Sequence, residues 1–138
     1  TKDDNLRVLV LTLVLSLSNV LSLLGQHHPL VGTWRSSAIT QAGEQQVEIV
    51  IQANGTYSQQ WRGRNILNTY TGRWRVMDGG IVRFDIDDWQ PKEWCGAFGC
   101  TKILRPPGTT ARIQFQGANR FRATPMDGSA SLVYQRAG

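Results

Sequence analysis

Three stretches of this chain alternate apolar and polar residues, and each folds back on itself through a three-residue break. Val47, Ile49 and Ile51 are followed by Ala53-Asn54-Gly55 and then by Tyr57, Gln59 and Trp61. Tyr70, Gly72, Trp74 and Val76 are followed by Asp78-Gly79-Gly80 and then by Val82, Phe84 and Ile86. Ile113 and Phe115 are followed by Gly117-Ala118-Asn119 and then by Phe121 and Ala123. A side-chain period of two is the mark of strands with one buried face, and a one-residue slip would turn the aromatic face into water. The register is therefore readable: Ile51 opposite Tyr57, Val47 opposite Trp61, Trp74 opposite Phe84, and Arg73 opposite Asp85 on the outer face. Each break ends in Gly or Asn, the residues that tolerate the left-handed position of a three-residue hairpin loop.

Further strands are expected at 31–40, at 129–136 and near 100–105. The fold class is all-β, an antiparallel meander of roughly eight strands. Closing such a meander into a barrel removes the exposed edges.

The N-terminal segment differs in kind. Val8 to Leu24 contains no charged residue, with Lys2 and Arg7 before it and Gly25-Gln26-His27-His28-Pro29 after it. As a helix it would span about 26 Å, just under a bilayer's hydrocarbon core. This is the layout of a signal peptide or a short signal anchor. An amphipathic helix docked on the barrel is the alternative, since Thr12, Ser16, Asn19 and Ser22 share a face. We divide the chain into an apolar leader over 1–29, expected to be helical, and a barrel domain over 30–138. The expected location is periplasmic or secreted, with membrane attachment through residues 8–24 if the leader is retained.

The formal net charge is +5, with 12 arginines against 3 lysines. A basic balance suits nucleic acid, an anionic membrane or an acidic partner. No run of five basic residues occurs, so nucleic acid is not expected. Asp85 and Asp87 alternate with Phe84 and Ile86, point outward, and are expected to pair with Arg73 and Arg75. Cys95 and Cys100 are too few for a structural zinc site, and their four intervening residues exceed the two of a redox dithiol. Export makes them a disulfide. It would staple the 88–100 loop, the least strand-like part of the chain, and present Trp89, Trp94 and Phe98 either as binding anchors at the barrel mouth or as a lid on its core.

The first barrel strand opens Gly32-Thr33-Trp34, and the last ends Val133-Tyr134-Gln135-Arg136. A G-x-W on the first strand with a terminal-strand arginine resembles the calycin superfamily of lipocalins, fatty-acid-binding proteins and avidins. The resemblance spans about residues 30–136. It implies that Trp34 plugs the barrel floor and that Arg136 packs over it. Avidin's polar first-strand ligand set is not matched, because Arg35-Ser36-Ser37 follow the tryptophan, and biotin is not implied.

No catalytic constellation is found. His27 and His28 are adjacent at the domain edge and are expected to lie in solvent. The chain lacks a nucleophile elbow, a zinc-protease helix motif and a phosphate loop. The sequence points to a non-enzymatic barrel without cofactor or metal, binding a small, partly apolar molecule. The expected lining is Tyr57, Gln59, Trp61, Tyr70, Trp74, Phe84, Phe115, Phe121 and Tyr134. Gln59 is the polar handle, and the small Gly72 and Ala123 suggest spare room. The alternative is an envelope protein-interaction or inhibitor module acting through the stapled loop and the outer arginines Arg73, Arg75, Arg112, Arg120 and Arg122.

Overall fold

A computed structural model describes residues 27–138. The apolar run 8–24, and with it the expected leader helix, lies outside the described residues. Among those described, no helix is long and apolar enough to cross a membrane.

Eight strands close into an antiparallel barrel in the order β1-β10-β9-β8-β5-β4-β3-β2. They are β1 (Gly32–Thr40), β2 (Gly43–Ile51), β3 (Thr56–Gly63), β4 (Ile66–Val76), β5 (Ile81–Gln90), β8 (Thr109–Phe115), β9 (Arg120–Pro125) and β10 (Leu132–Arg136). A short 3₁₀ turn, Asp78–Gly80, links β4 to β5. Two further strands, β6 (Glu93–Gly96) and β7 (Gly99–Lys102), pair only with each other. The strand expected near 100–105 is therefore off the barrel. The stapled segment, expected to be irregular, is a small separate hairpin.

The three hairpins have the registers their alternation specifies. Ile51 pairs with Tyr57 and Val47 with Trp61. Trp74 pairs with Phe84 and Arg73 with Asp85. Phe115 pairs with Phe121 and Ile113 with Ala123. One turn differs in detail: in Gly117-Ala118-Asn119 the left-handed residue is Gly117, not the terminal Asn119. The glycine has no Cβ to clash at positive φ, so it takes the position first.

Closure rests on the seam between β1 and β10, where Trp34 pairs with Arg136 and Arg35 with Gln135. Trp34 is fully buried. Its indole N–H donates to the Leu30 carbonyl at 2.8 Å. The Arg136 guanidinium lies 4.2 Å above the Trp34 ring, the attractive geometry of a cation over an aromatic face. Arg136 also donates to the carbonyls of Val31, Pro29 and Ala118 at 3.0, 3.2 and 3.2 Å. These are the positions that the G-x-W resemblance implies for both residues. The glycine of that motif has a steric reason: a Cβ on Gly32 would stand 2.4 Å from an Arg136 guanidinium nitrogen. The Ser36 hydroxyl adds a bond across the seam to the Val133 carbonyl at 2.6 Å.

The turns 53–55, 78–80 and 117–119 share the end at which the chain enters β1, so this end is the floor. His28 belongs to it and is not free in solvent. Its Nδ1 accepts the Leu30 amide at 3.1 Å, and its ring meets Trp74 edge-on at 5.5 Å. Burial lowers its pKa below the ordinary imidazole value. The 126–131 turn and the β6–β7 hairpin lie at the opposite end.

A bulge interrupts β4 and β5. Gly72 pairs with Ile86, but Thr71 pairs with Asp88, leaving Asp87 as the extra residue. The insertion restores Trp89 to the face of Tyr70, its register partner, and leaves Asp87 and Asp88 both exposed. It also redistributes the ion pairs expected outside. Arg73 forms a two-point pair with Asp87 at 2.9 and 3.0 Å rather than with its register partner Asp85. Asp85 pairs with Arg83 on its own strand at 2.9 Å. Among the described residues Arg75 pairs with no carboxylate, and its register partner is Arg83.

Gly72 sits where β5 comes closest: a Cβ there would stand 1.8 Å from the Asp85 carbonyl oxygen. Its small size is set by this backbone approach and does not make room in the interior. Gly72→Ala must push β4 and β5 apart at the bulge, and we expect a loss of at least about 3 kcal/mol in urea denaturation.

Candidate functional site

Above the Trp34 floor the barrel holds a cavity of about 290 Å³. Its walls are the inward residues of β2, β3, β5, β8, β9 and β10, together with the 126–131 turn. Aromatic rings dominate: Tyr57, Trp61, Phe84, Phe121 and Tyr134 all line it. They brace one another as they pack on the floor. Tyr57 and Phe84 meet edge-on at 5.1 Å, Phe121 meets Trp34 edge-on at 4.6 Å, and Phe121 stacks on Tyr134 at 5.0 Å. Such offset and edge arrangements suit the ring quadrupoles and hold the walls in place.

Six of the nine residues expected from the sequence line this space: Tyr57, Gln59, Trp61, Phe84, Phe121 and Tyr134. Three do not. Trp74 belongs to the floor, where its indole donates to the Gln52 carbonyl at 2.8 Å beside His28. Phe115, the last residue of β8, is 40% exposed, with its ring centre 5.9 Å from that of Phe121. Tyr70 lies beyond the bulge, opposite Trp89. Alternation reports which face a residue takes, not its height along the barrel, and the cavity fills only part of that height. Ala123 lines the space, as expected of a small residue beside a void.

The polar groups are few. The Gln59 amide and the buried Tyr134 phenol both line the space, and the amide partly offsets the effect of burial on that phenol. Burial raises the Tyr134 phenol to about 12. Tyr57 is raised to about 12 as well, by burial first and then by the negative charges of Asp85 and Asp87, with Arg83 opposing. Thr109, Asp127 and Ser129 were not expected in the lining. Asp127 accepts the Ser129 amide at 2.9 Å and also its hydroxyl. These bonds hold its carboxyl below the ordinary range, the hydroxyl contributing most. The Met126-Asp127-Gly128-Ser129 stretch carries a turn signal. Nothing local says that the turn folds over an interior.

The wall opens between β5 and β8 toward the mouth. Their register runs only from Ile81 with Arg112 to Phe84 with Thr109. From Asp85 to Gln90, β5 continues without a β8 partner. Phe84, Ile86 and Thr109 line the cavity at this break.

The β6–β7 hairpin stands apart. Cys95 and Cys100 are disulfide-bonded and occupy facing positions. Glu93 lies close to both sulfurs, but disulfide sulfurs are not thiolate ligands, so this group offers no metal site. Trp94 is 65% exposed and Phe98 fully exposed. Trp89, grouped with them in the sequence, is different: it is half-buried, donates to the Ile103 carbonyl at 3.0 Å, and carries the Lys92 ammonium 3.4 Å from its ring centre. It anchors the base of the hairpin and is not displayed.

Comparison with known protein-family models and with curated protein sequences finds no match to this chain.

Two outcomes follow from this geometry. The chain has three tyrosines, and Tyr57, Tyr70 and Tyr134 all have phenols raised by burial. A phenol whose folded pKa exceeds its unfolded value stabilises the fold below the unfolded value, and that contribution is lost as pH rises through the folded value. For Tyr57 and Tyr134 the window runs from about 10 to about 12. Ultraviolet titration should show no full tyrosinate step near pH 10 in the native protein, and stability should fall across that window. In the second, Cys95→Ala/Cys100→Ala should leave the barrel's thermal midpoint nearly unchanged, because β6 and β7 pair only with each other. The loss, about 2 kcal/mol for so short a loop, should instead appear as faster amide exchange over 93–102.

Proposed function

We propose that this protein is a calycin-like carrier that binds a small, partly apolar molecule inside its barrel. The observation that supports this reading is the unfilled aromatic cavity above a sealed floor. Small barrels either pack their interior or hold one ligand. At about 290 Å³ the space sits at the lower bound of ordinary ligand sites. That volume equals roughly ten waters, so the fitting ligand has on the order of ten non-hydrogen atoms. Gln59 and the buried Tyr134 supply polar contacts deep in a largely aromatic and aliphatic wall. The closed eight-stranded meander and the stacked Trp34 and Arg136 support the calycin-like part of this reading. The reading is of a binding protein without catalytic role or cofactor. The Cys95–Cys100 disulfide suits an oxidising compartment, so we place the domain in the periplasm or outside the cell.

A second reading has one observation in its favour. Phe98 and Trp94 are displayed on a stapled hairpin, as a protein-docking anchor would be. An envelope interaction or inhibitor module would use them.

The two separate in one experiment. Titration with 2-phenylethanol, followed by NMR, should shift resonances of Tyr57, Phe84 and Tyr134. Ala123→Phe should fill the space and reduce the affinity at least about tenfold while the protein stays folded. Absence of any shift in the cavity residues would overturn the carrier reading. Shifts confined to Trp94 and Phe98 would move the assignment to the hairpin.

A further inference from the structure

The cavity's charge is one-sided. Among its lining residues Asp127 alone is ionised, and no lysine, arginine or histidine lines it. This stands against an overall formal charge of +5 for the chain. The walls add to the asymmetry, because Tyr57, Trp61, Phe84, Phe121 and Tyr134 surround the space with aromatic rings. The face of each ring carries the negative lobe of its quadrupole and attracts a cation. A carboxylate ligand would meet a carboxylate at the mouth and find no cationic partner inside, a costly way to lose its hydration.

From this geometry we infer that the preferred ligand is a cation, a small aromatic or aliphatic amine whose apolar body fills the cavity and whose ammonium pairs with Asp127. The inference rests on the carrier reading and narrows it to one charge class. Asp127 keeps the capacity for this role. A carboxylate accepts about four hydrogen bonds, and Ser129 supplies two through its amide and hydroxyl. Those two bonds also fix the carboxylate's orientation, so it is held in place before the ligand arrives. The Asp127-Gly128-Ser129 turn thus serves as the charge-reading element, while Gln59 and Tyr134 provide the neutral contact deeper in.

The test uses the full chain and three probes of similar size: 2-phenylethylamine, 2-phenylethanol and phenylacetate, titrated calorimetrically at low and at physiological salt. The amine should bind about tenfold more tightly than the alcohol, with phenylacetate weakest, and added salt should erode the amine's advantage. Asp127→Asn keeps an acceptor for Ser129 and should bring the amine to within about threefold of the alcohol. An unchanged circular-dichroism spectrum and thermal midpoint report that the variant is folded. If the alcohol or phenylacetate binds as tightly as the amine, or if Asp127→Asn leaves their ratio intact, the charge assignment is wrong and the carrier reading stands. If none of the three binds, both fall together.

Discussion

The contact on which this barrel depends is the stack of Arg136 on Trp34. The first and last strands are the farthest apart in sequence, and their register is short, two residue pairs. Backbone bonding alone would hold such a seam weakly. The side chains make up the difference. A fully buried indole fills the floor and hydrogen-bonds back to Leu30, while a guanidinium covers its face and ties together Pro29, Val31 and Ala118. One arginine thereby joins the segment before β1, the seam and the β8–β9 turn. Gly32 is part of the same arrangement, because only a residue without a Cβ leaves the guanidinium its place. Sealing the floor this way leaves the other end unsealed, and the space above Trp34 follows from that asymmetry.

The bulge at Asp87 is the second constraint. Without the extra residue, strict alternation along β5 would send Trp89 outward, taking the Lys92 contact and the Ile103 bond with it. With it, β5 carries its aromatic face past the point where β8 ends and delivers the chain to the β6–β7 hairpin. Gly72 allows the close approach opposite. The same insertion explains why three acidic residues lie so close in sequence yet take different partners: Asp85 pairs with Arg83, Asp87 with Arg73 and Asp88 with Lys92.

Much of the barrel wall could be read from the sequence, because hairpin pairing is local. Val47 opposite Trp61 and Phe115 opposite Phe121 need only a period of two and a turn of known length. The Trp34–Arg136 contact was reachable through resemblance alone, as no local rule joins residues so far apart. What stayed hidden depends on height and on distant closure. Tyr70, Trp74 and Phe115 share the alternation of the residues that line the cavity, but lie below, beyond or beside it. Asp127 could not be read as lining, since a turn signal does not say what the turn folds over. The bulge was equally silent: Asp85-Ile86-Asp87 continues an ordinary alternation, and the slip shows only in the pairing of β5 with β4.

The two ends of the barrel also differ in their relation to the rest of the chain. The polypeptide enters at the floor, through His28 and Pro29, both bound there. Strands of this length and tilt separate the ends by on the order of 20 Å. A tether on the N-terminal side would hold the protein by its closed end. The mouth, with Asp127 and the aromatic hairpin, would then stand off from the point of attachment, like the rim of a cup set on its base.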